Sequence, residues 1–275
     1  DRKDPDKKSV TRCCLEDPYN SCLQCPLAAN EQPTWCLCTG GVFGGPMCFP
    51  SNATAQVLEP PAPGHAAAVV PRAMSKLRVG DLILTAGGFS KIYAFLDHDS
   101  RSVAEFVELA TASGRALTAS PDHIVFVGPR RRAVFAGAVV VGDELWFADP
   151  LERPAEEAPA LRPDQVVRTR SVMLPGMHAP LTFDGSVVVD GFAASNFAHV
   201  RGYLWGEETL ISGHTLALLL HSPLRWLCGL VPSFGGPEWH TDGGRHLWTQ
   251  WLLDNGGWLQ ALNYVYGDLQ ESLVL

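Results

Sequence analysis

From residue 48 onward the chain is written in short apolar runs closed by turn residues, and that texture constrains the fold more than any other feature. Runs at 82–85, 106–110, 124–127, 138–141 and 187–189 are rich in Val, Ile, Leu, Ala and Phe. Segments this short, with β-branched and aromatic enrichment, read as strands, and many of them without sustained helical periodicity predict an all-β domain. One pattern occurs twice. Val79-Gly80-Asp81-Leu82-Ile83-Leu84 is echoed by Val141-Gly142-Asp143-Glu144-Leu145-Trp146. A Gly-Asp turn that feeds a strand on two occasions predicts two related halves.

The flanking regions differ in texture. Residues 59–71 and 150–163 are loops rich in Pro, the first of them a hairpin tip. Past residue 203 the composition shifts, with six of the eight tryptophans between 205 and 258. Residues 209–220 and 246–262 carry helical spacing. The longest aliphatic stretch, 216–220, is far below the roughly 20 residues of a membrane span, and Pro223 and Arg225 block its extension. A region that is aromatic-rich, amphipathic and too short to span predicts contact with a lipid or a membrane surface. A net charge of −8 argues against nucleic acid, whose phosphates demand a basic face. The one basic run, Arg130-Arg131-Arg132, reads as a solvated turn.

Six of the eight cysteines (Cys13, Cys14, Cys22, Cys25, Cys36, Cys38) precede residue 40. An even set packed this densely suggests three disulfides in an oxidising compartment, with about 15 possible connectivities. The competing reading is a four-thiolate zinc site from Cys22-x-x-Cys25 and Cys36-x-Cys38. The opening Asp1-Arg2-Lys3-Asp4 reads as a piece of a longer precursor.

Cys48 stands apart. It follows the Gly-rich lead at 40–47 and opens Cys48-Phe49-Pro50; downstream come Asp97 and Ser120-Pro121-Asp122-His123. A thiol attacks the carbonyl of the preceding residue productively only if a neighbouring group protonates the departing backbone nitrogen. Imidazole suits that role, and a Ser-x-x-His spacing aims a hydroxyl and an imidazole at one peptide bond. Cys48 is therefore the candidate nucleophile on Met47, His123 the general acid, and Ser120 the group that orients the bond.

In their order and spacing, several stretches resemble the C-terminal autoprocessing domain of Hedgehog proteins, a Hint domain related to inteins. They are Cys48-Phe49-Pro50, Leu77-Arg78-Val79-Gly80-Asp81, Phe95-Leu96-Asp97, Ser120-x-x-His123-Ile124-Val125-Phe126-Val127, Val134-Phe135-Ala136, Ala179-Pro180-Leu181-Thr182 and residues 185–195. The resemblance covers residues 48 to about 202, is fainter beyond, and is absent from residues 1–47. It implies an all-β Hint fold of two pseudo-twofold-related β-subdomains, with a partly helical C-terminal region and a small cysteine-rich N-terminal segment. The implied parts are 1–47, ending at the cleavage site; 48–202, the autoprocessing domain; and 203–275, a Trp-rich sterol- or membrane-binding region with Trp226, Trp248, Trp251 and Trp258 as contacts.

The implied activity is that of a single-turnover cysteine autoprocessing protease and sterol transferase. It would cleave Met47–Cys48 by an N-to-S acyl shift and pass the N-terminal fragment to a sterol. Asp97 would be the base that deprotonates the sterol hydroxyl, with His98 the neighbouring alternative. The chain's own N-terminal segment is the substrate, and sterol is a co-substrate, with no metal or cofactor. The expected state is a monomer in the secretory pathway, its product secreted and membrane-associated. Two alternatives stand: hydrolysis of the thioester by water, and a degenerate, non-cleaving extracellular binding module. Departures from the family pattern are Met47 for Gly, Ser120 for the usual Thr, and Asn196 where animal relatives often have Cys.

Overall fold

The computed structural model describes residues 48–60, 67–148, 159–198, 203–205, 208–242 and 244–255. The cysteine-rich segment with its disulfide and zinc readings, Met47, and Trp258 lie outside them. Eleven strands form one antiparallel sheet: β1 (Thr54–Glu59), β2 (Ala68–Ala73), β3 (Leu82–Thr85), β4 (Gly88–Thr111), β5 (Ala116–Ala119), β6 (His123–Val127), β7 (Arg132–Phe135), β8 (Glu144–Ala148), β9 (Leu161–Thr182), β10 (Ser186–Val189) and β11 (Phe192–Ala198). Their order is β10-β1-β3-β4-β9-β8-β11-β6-β7, with β2 beside β1 and β5 beside β4. A separate hairpin of β12 (Tyr203–Trp205) and β13 (Glu208–Ile211) precedes two helices, α1 (Gly213–Leu230) and α2 (Leu247–Asn255).

The sequence echo is a structural duplication. Gly80 and Gly142 both lie in the left-handed region, at φ 97° and 100°, where glycine carries no Cβ penalty. Each following aspartate folds back on the residue three before it: Asp81 Oδ2 accepts from Arg78 N at 2.8 Å, and Asp143 Oδ2 from Val140 N at 2.9 Å. Each turn then clasps a long strand by the same pair of bonds. Gly80 N donates to Ile92 O and Ile92 N to Asp81 O; Gly142 N donates to Val166 O and Val166 N to Asp143 O. The two turns thus dock equivalently on β4 and β9.

Two sequence readings need correction. The run at 138–141 is not a strand but the lead into the second Gly-Asp turn, with Val140 and Val141 exposed. Its apolar character mimicked a strand because a short run cannot report burial. The helical spacing read over 209–220 is instead the strand β13 followed by α1, which continues through Pro223 to Leu230. Proline removes the N–H that would bond Leu219 O, and Ser222 Oγ donates to that carbonyl instead at 2.7 Å. The substitute bond explains why the turn survives.

The main core draws Phe49, Val57, Ile83, Phe95, Leu117, Val125, Leu145 and Phe192 from both halves. A second cluster holds Cys48, Leu96, Ala179 and Phe197 together with Ala217, Leu224 and Cys228 of α1. Those three helix positions share one face by helical spacing. Packing therefore runs across residue 203, and α1 seals the cluster that contains Cys48. No helix among the described residues is long and apolar enough to cross a membrane.

Candidate active site

Ser120-Pro121-Asp122-His123 is a tight turn, closed by His123 N donating to Ser120 O at 2.9 Å. Proline at its second position presets the backbone for such a turn. The turn presents Ser120 to Cys48 through two bonds: Cys48 N donates to Ser120 Oγ at 3.1 Å, and Ser120 N donates to Cys48 O at 2.9 Å. The backbone nitrogen of Cys48 is thus fixed by a hydroxyl. The His123 ring lies 4.2 Å from that of Phe49, the residue after the thiol. Cys48, Ser120 and His123 are all fully buried.

Ring tautomers follow from the partners. His123 Nε2 lies 2.8 Å from Ser195 O; a carbonyl only accepts, so Nε2 carries the proton in the neutral ring. Nδ1 is then the ring's basic nitrogen. Ser195 Oγ accepts from Phe197 N at 3.0 Å and is hydrogen-bonded to His214 Nδ1 at 2.8 Å. Burial holds His214 below the ordinary histidine range, which leaves that nitrogen able to accept. The first turn of α1 therefore braces the strand that holds His123.

Asp97 reaches the same face as Cys48 because of one extra residue. Phe49 pairs with His178 of β9 by two backbone bonds, so Cys48 points to the side of Ala179. On the other edge of β9, Phe95 pairs with Pro180 but Asp97 pairs with Ala179, leaving Leu96 as a bulge. Without that bulge Asp97 would oppose His178 and face away. Bulges re-aim side chains in this manner. The strands carrying Cys48 and Asp97 flank β9, ~10 Å apart by two strand spacings. His98, the alternative base, pairs with His178 on the opposite face.

The electrostatics of Asp97 involve a residue that sequence reading missed. Burial raises its carboxyl above the ordinary range, and the Arg245 guanidinium beside it pulls it back. Arg245 Nη2 donates to Asp97 Oδ2 at 3.0 Å. Nothing in the local motif around Phe95-Leu96-Asp97 signals a partner 148 residues away. Ser195, His214 and His178 were also missed. Each lacks a motif of its own and matters through the strand or helix that positions it. Cys228 is inert by contrast: burial pushes its thiol up to about 11. Asn196 is a buried structural polar group, its Nδ2 donating to Thr182 O at 3.2 Å.

Of the tryptophans expected to meet a lipid, Trp226 stands 65% exposed on the outer side of α1. Trp248 and Trp251 stack 5.4 Å apart on α2, with Trp251 exposed and Trp248 packed against the Cys48 cluster. Among the described residues no cluster of His, Cys, Asp and Glu is arranged to hold a metal ion.

Burial also sets a pH response. His178 Nδ1 lies 3.0 Å from His98 Nδ1, and burial followed by that neighbour lowers His178 to about 4. His221, buried in α1, is likewise lowered to about 4, chiefly by burial. Histidines held neutral by the fold bind protons only when it opens, so stability rises with pH between their folded value and their ordinary 6.5. In a Cys48→Ala background, thermal midpoints should fall on acidification from pH ~6.5 towards ~4. His178→Gln should flatten that slope. A midpoint constant across this range would contradict the assignment.

A duplicated all-β fold with a buried cysteine, its backbone clamped to a Ser-x-x-His turn, is the architecture of a self-processing domain. Residues 44–258 match the Hint module family, and the chain belongs to that family. It is 35% identical over 143 residues to "Protein hedgehog" of Drosophila ananassae, covering 48% of this chain and 29% of that protein. It is also 35% identical over 163 residues to the Drosophila virilis protein of the same name, covering 56% and 30%. The chain spans less than a third of the length of these relatives. Among solved structures it is similar to the gp41-1 intein, at 11% identity and TM-score 0.40, covering 54% of this chain and 98% of that one.

Proposed function

We propose that this domain cleaves its own chain between Met47 and Cys48 and transfers the N-terminal segment to the hydroxyl of a sterol in the secretory pathway. The observation that carries the reading is the bulge at Leu96, which turns Asp97 onto the face of Cys48. Peptide-bond cleavage already has its proton carrier in His123, which leaves the buried carboxylate on that face to serve as the base for an acceptor hydroxyl. In the first step Cys48 Sγ attacks the Met47 carbonyl carbon. The thiol proton passes to His123 Nδ1, the C–N bond breaks, and His123 hands that proton to the departing amine. Ser120 Oγ, bonded to that N–H, holds the peptide in place. In the second step the sterol oxygen attacks the thioester carbon. Its proton passes to Asp97, the C–S bond breaks, and the Cys48 thiolate leaves and is reprotonated. The exposed tryptophans of α1 and α2 offer apolar surface for a sterol or the membrane that holds it.

The mass of the released N-terminal fragment tests the reading. Incubation of the intact chain with cholesterol in detergent should give a fragment heavier than the free acid by one cholesterol less one water. A fragment ending in a free carboxylate, formed equally with and without cholesterol, would replace transfer by hydrolysis.

A further inference from the structure

Resting on the transfer reading, we infer that Arg245 and Asp97 together form the slot for the acceptor's hydroxyl, with Asp97 taking its proton and Arg245 holding its oxygen. The pairing of the two side chains is incomplete in an informative way. An arginine that meets a carboxylate commonly engages it through two parallel N–H bonds. Here Nη2 donates to Asp97 Oδ2 at 3.0 Å, while Arg245 Nε is buried with no acceptor among the described residues. Leaving such a donor unmet in the interior is costly. The site therefore places an unused donor beside a carboxylate that can still accept. A hydroxyl fits both, because it accepts one hydrogen bond while donating another. A second carboxylate would be repelled by Asp97, and an ammonium group could not accept from Arg245.

The slot is held firmly. Arg245 sits in a turn closed by Thr241 N donating to Arg245 O at 2.7 Å and by Arg245 N donating to Thr241 Oγ1 at 3.2 Å. Gly244 lies at φ 80° directly against β4, and a Cβ there would come 2.5 Å from His98 O. The Asp97 side chain is 4% exposed and that of Arg245 28%, so the opening is on the arginine side. Leu96, Phe234 and Trp248 belong to the adjoining apolar cluster and would meet the acceptor's carbon skeleton. In the step itself, the acceptor's oxygen bonds to the acyl carbon as its O–H proton moves to Asp97, and the bond from that carbon to Cys48 Sγ breaks. Arg245 Nε–H stays on the oxygen while negative charge develops there.

The charged and titratable groups around Asp97 are Arg245 from the turn, Asp99 and His98 on β4, His178 from β9 and His240 from the segment before the turn. Arg245 is the one among these that bonds the Asp97 carboxylate with a cationic side chain. Removing it should therefore shift the acid limb of the transfer reaction to higher pH, since Asp97 must be ionised to act as a base.

The experiment uses the intact chain with dithiothreitol to read the first step and cholesterol in detergent to read the second. Arg245→Gln should cleave with dithiothreitol like the parent. It should form the cholesterol ester roughly 10- to 100-fold more slowly, the range for losing a hydrogen bond to a charged group, with its acid limb moved upward. Arg245→Lys keeps the charge but not the Nε donor, so its acid limb should stay while its rate falls. Gly244→Ala should reproduce the Arg245→Gln rate with the arginine intact, by lifting the turn. Ester formation by Arg245→Gln at the parent rate and with the parent pH profile overturns the inference. If the parent forms no ester, the transfer reading fails and water becomes the slot's occupant. Arg245→Gln must then slow formation of the free acid, and an unchanged rate of hydrolysis overturns the slot as well.

Discussion

Cys48→Ala is expected to remain full-length under every condition that cleaves the parent chain. The methyl group has no nucleophile to offer, and no other described cysteine can replace it: Cys228 is buried on α1, with burial pushing its thiol up to about 11. The substitution is small, in a cluster that already accommodates alanines at 94, 179 and 198, so the fold should survive. His123→Ala should still cleave, but slower by about 10²- to 10⁴-fold, the usual contribution of a positioned general acid. The larger part of that range is expected because His123 also packs on Phe49, which anchors the nucleophile's strand to β9. His214→Ala should have a smaller effect in the same direction, since its hydrogen bond is to Ser195 and not to His123. Denaturing electrophoresis and intact mass, with and without dithiothreitol, measure all three. Cleavage after Met47 in Cys48→Ala would falsify the thiol mechanism outright.

How much of this was legible in the sequence depends on how far each feature reaches along the chain. The Ser120–His123 turn was legible because its geometry is written in four consecutive residues, proline included. The duplication was legible through Gly80 and Gly142, whose left-handed conformations demand glycine and whose aspartates cap the same turn. The lengths of β4 and β9, 24 and 22 residues, were not. Their apolar runs are broken by exposed stretches, and a strand paired on both sides of an exposed segment leaves no periodic mark there. The helical run through Pro223 was hidden for a related reason, because a serine hydroxyl took over one backbone bond. Asp97 could be named but not aimed. Its face is decided by a single bulged residue, Leu96, which moves it by one register step. Arg245 was invisible, since its partner is set by tertiary packing of a turn against β4.

Asp97→Ala is expected to separate the two steps completely. Thioester formation requires the Cys48 thiol, the Ser120 clamp and His123, whereas the Asp97 carboxylate is bonded to Arg245. A soluble thiol such as dithiothreitol attacks the thioester without help from a base in the protein, because at mildly alkaline pH part of it is already thiolate. Thiol-induced release should therefore proceed at close to the parent rate. A sterol hydroxyl is far less acidic, and alkoxide character must develop in the transition state, so loss of the base should cost about 10²- to 10⁴-fold in ester formation. Removing Asp97 also leaves the half-buried Arg245 without its counter-charge, which is destabilising. Asp97→Asn is accordingly the companion variant, keeping a hydrogen-bond acceptor for Arg245 while lacking a basic carboxylate. Both should make thiol-released fragment and neither the ester. If both also lose thiol cleavage while their thermal midpoints match the parent's, Asp97 belongs to the first step. If both release the same lipid-free acid as the parent with cholesterol present, at the same rate, the acceptor is water, and the carboxylate on the Cys48 face has no part in the chemistry.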